Sequence, residues 1–209
     1  MNAKALLTCL IGLSLCACTG SLFKSKLSTP VAYVLSVRND VPAAASAAMI
    51  PVDLSILKPH MRPGLDTDRV AAQYPDRRLD FYAGAKWSGT LDDVLQDLAV
   101  QLFHQRAKLR SVSSESTRFT SSYWLEIDVE DFQAEYPPGG GAPLIKVRLL
   151  GRLGSTAQHA GIGNYAAAAS EQAAADRLEP IIDAYERAAN TALAQIIDST
   201  TVTLAAASP

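Results

Sequence analysis

The chain has 209 residues, with 19 basic against 21 acidic side chains and a formal net charge of −2. So even a balance, with no clustered Lys/Arg run, excludes a nucleic-acid binder of the usual electrostatic kind. Hydrophobic residues make up 48%, and a domain of about 190 residues buries roughly 70% of its unfolded surface, so it can hold together without disulfides or a structural metal.

The first element is a targeting segment and is set aside from the fold. Lys4 supplies one positive charge, and residues 5–17 are apolar apart from Thr8, Gly12 and Ser14. The run is shorter than the ~20 residues needed to span a bilayer, and no later run reaches that length. It ends Leu15-Cys16-Ala17-Cys18-Thr19-Gly20, which resembles the lipobox of bacterial lipoproteins: aliphatic, small, Gly or Ala, then Cys. Cys16 is a less usual but small occupant. The resemblance implies that residues 1–17 are a lipoprotein signal peptide and that the Cys18 sulfur carries diacylglycerol. One acyl chain of the palmitate class anchors only marginally, whereas two or three hold firmly. Thr19 stands where Asp would retain such a protein in the inner membrane, so the resemblance implies a periplasm-facing domain on the outer membrane. Cys9 and Cys16 leave with the signal, and an acylated Cys18 leaves no thiol to pair.

Residues 18–30 read as a lipidated tether of Gly, Ser, Lys and Pro. A single domain is expected over 31–200, and a flexible tail over 201–209. Within the domain, residues 31–37 and 49–54 are β-rich runs. Residues 63–70 predict a turn and about one helical turn, with Asp66 and Asp68 as capping residues. Residues 79–82 form a third, short strand. A helix follows with Thr90 as its N-cap and Asp92 and Asp93 in its first turn. Its apolar positions Leu91, Val94, Leu95, Leu98 and Leu102 recur at helical spacing, and it ends near Arg106.

A polar connection over 111–117 leads to a clear alternation. Tyr123, Leu125, Ile127 and Val129 face one way, and Trp124, Glu126, Asp128 and Glu130 the other. Phe132 and Tyr136 are in opposite phase, which predicts a bulge near Glu130-Asp131. After a turn at 137–143, Ile145, Val147 and Leu149 alternate with Lys146, Arg148 and Leu150. The two runs predict a long antiparallel hairpin that sets Glu126, Asp128 and Glu130 against Lys146, Arg148 and Arg152. Residues 161–175 are alanine-rich, which favours helix by propensity, although a strand remains open. The last helix carries a stripe from Leu178 through Ile181, Ile182, Tyr185, Ala189, Leu193 and Ile196 to Ile197, with Pro180 in its first turn. Together these elements predict an α+β fold: a two-layer sandwich with a mostly antiparallel sheet of four to five strands and two long helices on one face.

No catalytic or metal constellation emerges. His60, His104 and His159 have neither metalloprotease spacing nor cysteine partners. Gly161-Ile162-Gly163-Asn164-Tyr165-Ala166 lacks the βαβ context of a dinucleotide loop, and Gly139-Gly140-Gly141 reads as a turn. No cofactor is expected. Trp87 suits a core or staple position where the first helix begins. Trp124 lies on the polar face of its strand and is the candidate partner-binding residue.

The succession of elements resembles the ABC-type transport auxiliary lipoprotein family. The resemblance is carried by the lipobox at Cys18, the tyrosine-bearing strand Ala32-Tyr33-Val34-Leu35, the element Leu65-Asp66-Thr67-Asp68-Arg69-Val70, and the passage from Leu79-Asp80-Phe81-Tyr82 through Trp87 to Leu91. It continues in Glu126-Ile127-Asp128-Val129-Glu130-Asp131-Phe132 and the alanine-rich final helix. The frequent Pro-x-Tyr-Leu ahead of the Asp-Arg element is replaced here by Arg62-Pro63-Gly64-Leu65. The resemblance implies an extended 161–175 segment. It also implies a non-catalytic outer-membrane auxiliary component that docks an MCE-type periplasmic protein of a phospholipid-transport system, with self-association left open. The alternative is a free-standing lipoprotein that binds a small ligand or regulates an envelope enzyme.

Overall fold

The computed structural model describes residues 29–38, 49–114 and 121–208. The signal peptide, Cys18 and nearly all of the tether lie outside the described residues. The elements run β1 (Val31–Tyr33), β2 (Ile50–Ile56), β3 (His60–Met61), β4 (Arg69–Gln73), β5 (Leu79–Trp87), α1 (Leu91–Arg106), β6 (Leu109–Ser114), β7 (Tyr123–Glu135), β8 (Leu144–Ser155), β9 (Ala160–Gln172) and α2 (Leu178–Ala207).

The expected sheet of four to five mostly antiparallel strands is corrected to one mixed sheet of nine. The reason lies in β7. One of its edges is taken along its whole length by β8, antiparallel. The other edge is shared by three short strands laid end to end, all parallel to β7. β2 pairs with Tyr123, Trp124 and Leu125, β3 with Asp128 and Val129, and β4 with Ala134 and Glu135. Pro59 and Pro63 lie at the breaks between these strands, as expected of a residue that cannot donate to a ladder. β6 then adds parallel to β2, β5 antiparallel to β4, and β1 parallel to β5. On the far side β9 pairs antiparallel with β8.

The predicted hairpin is present, and its register shifts between Val129 and Asp131, where the phase change had placed a bulge. The extra residue leaves Glu130 and Asp131 on the outer side and returns Phe132 to the core, 1% exposed. Residues 160–172 are strand rather than helix. Their backbone is satisfied by β8, and Ala167 and Ala169 are buried beneath α2, where larger side chains would hold the helix away. At Gly151 of β8 the close approach is direct: a Cβ there would meet Ile196 at 3.1 Å.

Both helices pack on the sheet face that carries Leu54, Ile56, Leu125, Ile127, Val147 and Leu149. The predicted apolar positions of α1 are all buried. Thr90 is the N-cap residue by position, but its hydroxyl is turned to the carboxylates of Asp92 and Asp93 and accepts from no backbone amide of the first turn. In α2, Ile181, Ile182, Tyr185, Leu193, Ile196 and Ile197 form the buried stripe. The helix runs to Ala207, so residues 201–207, expected to begin a tail, are helical, with Leu204 buried. Residues 63–70 contain no helical turn: β4 begins at Arg69, and Asp68 pairs with Lys86 at 3.4 Å. The first run is strand only to Tyr33. Beyond it the chain crosses onto α2, where fully buried Asn190 donates to the Ser36 carbonyl and accepts from the Arg38 amide.

Candidate functional site

Because both helices lie on one side, the other face of β7, β8 and β9 is free of helices. Its side chains are the out-phase residues of the hairpin: Trp124, Glu126, Asp128, Glu130 and Asp131 on β7, and Lys146, Arg148 and Arg152 on β8. The predicted charge opposition is realised. Arg152 lies 3.1 Å from Glu126 and 3.2 Å from Asp128. Arg148 lies 3.1 Å from Glu130 and 2.6 Å from Asp131. Lys146 reaches Glu135 at 2.5 Å. Two side chains from the parallel edge join in, His60 at 2.7 Å from Glu126 and Arg62 at 3.1 Å from Asp131. These pairs are largely exposed and each contributes little to stability. Their effect is to present a flat face of alternating sign.

At one end of this face stands Trp124, half-buried. It is paired across the ladder with Gly154, and its ring lies where a side chain at 154 would project. Glycine is therefore required at 154, since not even a methyl group fits beneath the indole. The ring is held flat against the sheet by its neighbour strand and no helix covers it. On the β9 side the same face carries small or uncharged residues, among them Asn164, Ala166, Ala168 and Ser170, all exposed.

At the other end of β7 the face dips into a cavity of about 310 Å³. Gln133, 3% exposed, forms part of its floor, and Gln73, Arg77, Leu79 and Arg62 form its walls. Sequence reasoning assigned none of these residues to a site, although Arg62 and Leu79 fall in segments it had quoted. The glutamines and Arg77 carry no motif, and they come together only through the parallel pairing of β4 with β7, which no turn announces.

Beside the cavity, Tyr74 stacks on Tyr136 at 5.1 Å. The Tyr82 hydroxyl donates to Tyr136, which donates to Asp176 at 2.7 Å. Burial pushes the Tyr136 phenol up to about 12 and Tyr82 higher still, so both stay protonated. Among the described residues no group of three or more His, Cys, Asp or Glu is placed to hold a metal ion. Nor is any described helix long and apolar enough to cross a membrane. His104 is exposed at the end of α1.

Comparison with known proteins places these features in a family context. A family model described as the ABC-type transport auxiliary lipoprotein component matches residues 33–197. No curated protein matches the sequence. The fold is similar to the crystal structure of protein XCC0632 from Xanthomonas campestris, with a TM-score of 0.72 and 22% identity over 83% of this chain and 96% of that one. It is also similar to the crystal structure of an uncharacterized protein, with a TM-score of 0.61 and 16% identity over 84% of this chain and 98% of that one.

Proposed function

We propose that this chain, which belongs to the ABC-type transport auxiliary lipoprotein family, is a non-catalytic, outer-membrane-anchored component that docks an MCE-type periplasmic protein of a phospholipid-transport system. Cys18 carries the anchor and Trp124 sits in the docking surface. The observation that carries the docking role is the helix-free face of β7, β8 and β9, with an indole seated on Gly154 at one end and opposed charges along its length. A preorganised, partly exposed aromatic ring beside charged neighbours is the kind of residue that dominates binding energy in protein interfaces. Opposed charges on the same face favour a partner of complementary pattern and disfavour others.

The anchor is tested by the mature N-terminus. Protein extracted from membranes should begin at Cys18 and carry the mass of a diacylglyceryl thioether. The Cys18→Ala variant should be neither cleaved at that position nor acylated. A mature N-terminus elsewhere, or a Cys18→Ala protein that is processed as before and remains membrane-bound, would refute the lipid anchor.

A further inference from the structure

The cavity at the far end of β7 differs in kind from the rest of the face. Elsewhere each outer-face cation sits against a carboxylate. Here the lining includes two guanidinium groups, Arg62 and Arg77, and no acid. Arg62 is occupied: it donates to Asp131 at 3.1 Å, and Asp131 also receives Arg148 and the Gln133 amide. Arg77 is not. Among the described residues nothing accepts from its guanidinium, although it lines the cavity and is held in the turn between β4 and β5, where its amide donates to the Tyr74 carbonyl.

A second free donor stands beside it. The buried Gln133 amide nitrogen lies 3.2 Å from Asp131, 3.4 Å from Glu135 and 3.5 Å from the Gln73 side-chain oxygen. The Gln73 amide nitrogen has no partner among the described residues. Beside these donors the wall is apolar, Leu79 being the cross-strand partner of Gln73. Leu79 is 39% exposed, unusual for a leucine here, and Leu65 lies behind it. Two unpartnered donors, one of them charged, beside an exposed leucine in a cavity of about 310 Å³ match an amphiphilic anion in charge, polarity and size.

We propose that this cavity binds a small organic carboxylate, with its head on Arg77 and the Gln73 amide and its short aliphatic body against Leu79. The site lies at the opposite end of β7 from Trp124, so it stands or falls independently of protein docking at that residue.

The probe is hexanoate, titrated calorimetrically into the purified full-length protein, with hexanol and inorganic phosphate as the two half-ligands. Hexanoate should bind with a dissociation constant of about 1 mM, and each half-ligand at least tenfold more weakly. Arg77→Gln should weaken hexanoate at least tenfold with no change in melting temperature, because the side chain is exposed and unpaired. Absence of hexanoate binding at 20-fold that concentration (about 20 mM), phosphate binding as tightly as hexanoate, or full binding by a folded Arg77→Gln variant would each overturn the assignment. The comparison among the three ligands uses the unmodified protein, so it decides the matter even if the variant fails to fold.

Discussion

Replacing Trp87 by alanine is expected to destabilise the domain by about 3–5 kcal/mol, the usual cost of emptying a large buried aromatic site. Trp87 is 1% exposed. It sits at the end of β5, paired with Tyr33 of β1, where the chain turns into α1. Its indole makes edge contacts with Phe132 of β7 at 5.9 Å and with Tyr185 of α2 at 5.4 Å. Phe132 and Tyr185 also meet at 5.2 Å, so the cavity left by alanine would be lined by two rings with other packing to keep. Such rings collapse poorly into a void, and their mutual geometry contributes about 0.5–1.5 kcal/mol per pair beyond area alone. Against a total stability of about 5–15 kcal/mol the loss is large. In thermal unfolding it should appear as a drop of roughly 10 °C. A drop of only a degree or two would mean that the indole does not join the sheet to α2.

The second large effect is expected at the junction of the two helices. Arg106 ends α1 with its side chain only 5% exposed, and it is gripped by Asp198 of α2, itself 40% exposed. Nη2 approaches the two carboxylate oxygens at 3.0 and 2.8 Å, and Nε approaches one of them at 3.3 Å. Asp198→Ala removes the carboxylate and leaves the guanidinium in its buried place. Breaking a buried pair from one side costs about 3–5 kcal/mol, and the exposure of Asp198 sets the expectation at the lower end, about 3 kcal/mol. Arg106→Met removes the buried charge and keeps most of the volume, so it should cost distinctly less. Urea unfolding of the two variants should rank them in that order. Equal losses, or a larger loss for Arg106→Met, would show that the guanidinium acts through its packing and not through the pair.

Arg106 also shows where sequence reasoning stops. A basic residue at a helix end reads as a solvated partner of the helix dipole, and nothing in α1 announces an aspartate from another helix. By contrast, the β7–β8 hairpin, its bulge and its cross-strand charges were legible, because period-two alternation and a Pro/Gly turn are local signals. The same alternation put Trp124 on the helix-free face. The shape of the sheet was not legible for an opposite reason. β3 has two residues, β4 reads Arg-Val-Ala-Ala-Gln, and β6 is largely polar. Each joins β7 or β2 in parallel with no hairpin to mark it. Their pairing is recorded only in tertiary contacts, so the strand count fell short. The cavity inherited that blindness, since Gln73 and Gln133 become neighbours only through the β4–β7 pairing. In β9 the alanines favour helix intrinsically, and burial under α2 together with pairing to β8 overrides that preference.

The docking role is tested most directly by crosslinking intact cells that carry the lipidated protein or its Trp124→Ala variant, then identifying what is captured. The wild type should recover an MCE-type transport protein. Trp124→Ala should keep nearly all of its stability, because the ring rests on an outer face with no helix above it, and should weaken the complex by about 2 kcal/mol, roughly 30-fold. Failure of the wild type to capture any transport component would contradict the account. So would a Trp124→Ala protein that loses 3–5 kcal/mol of stability while its capture per folded molecule stays unchanged, the behaviour of a core residue.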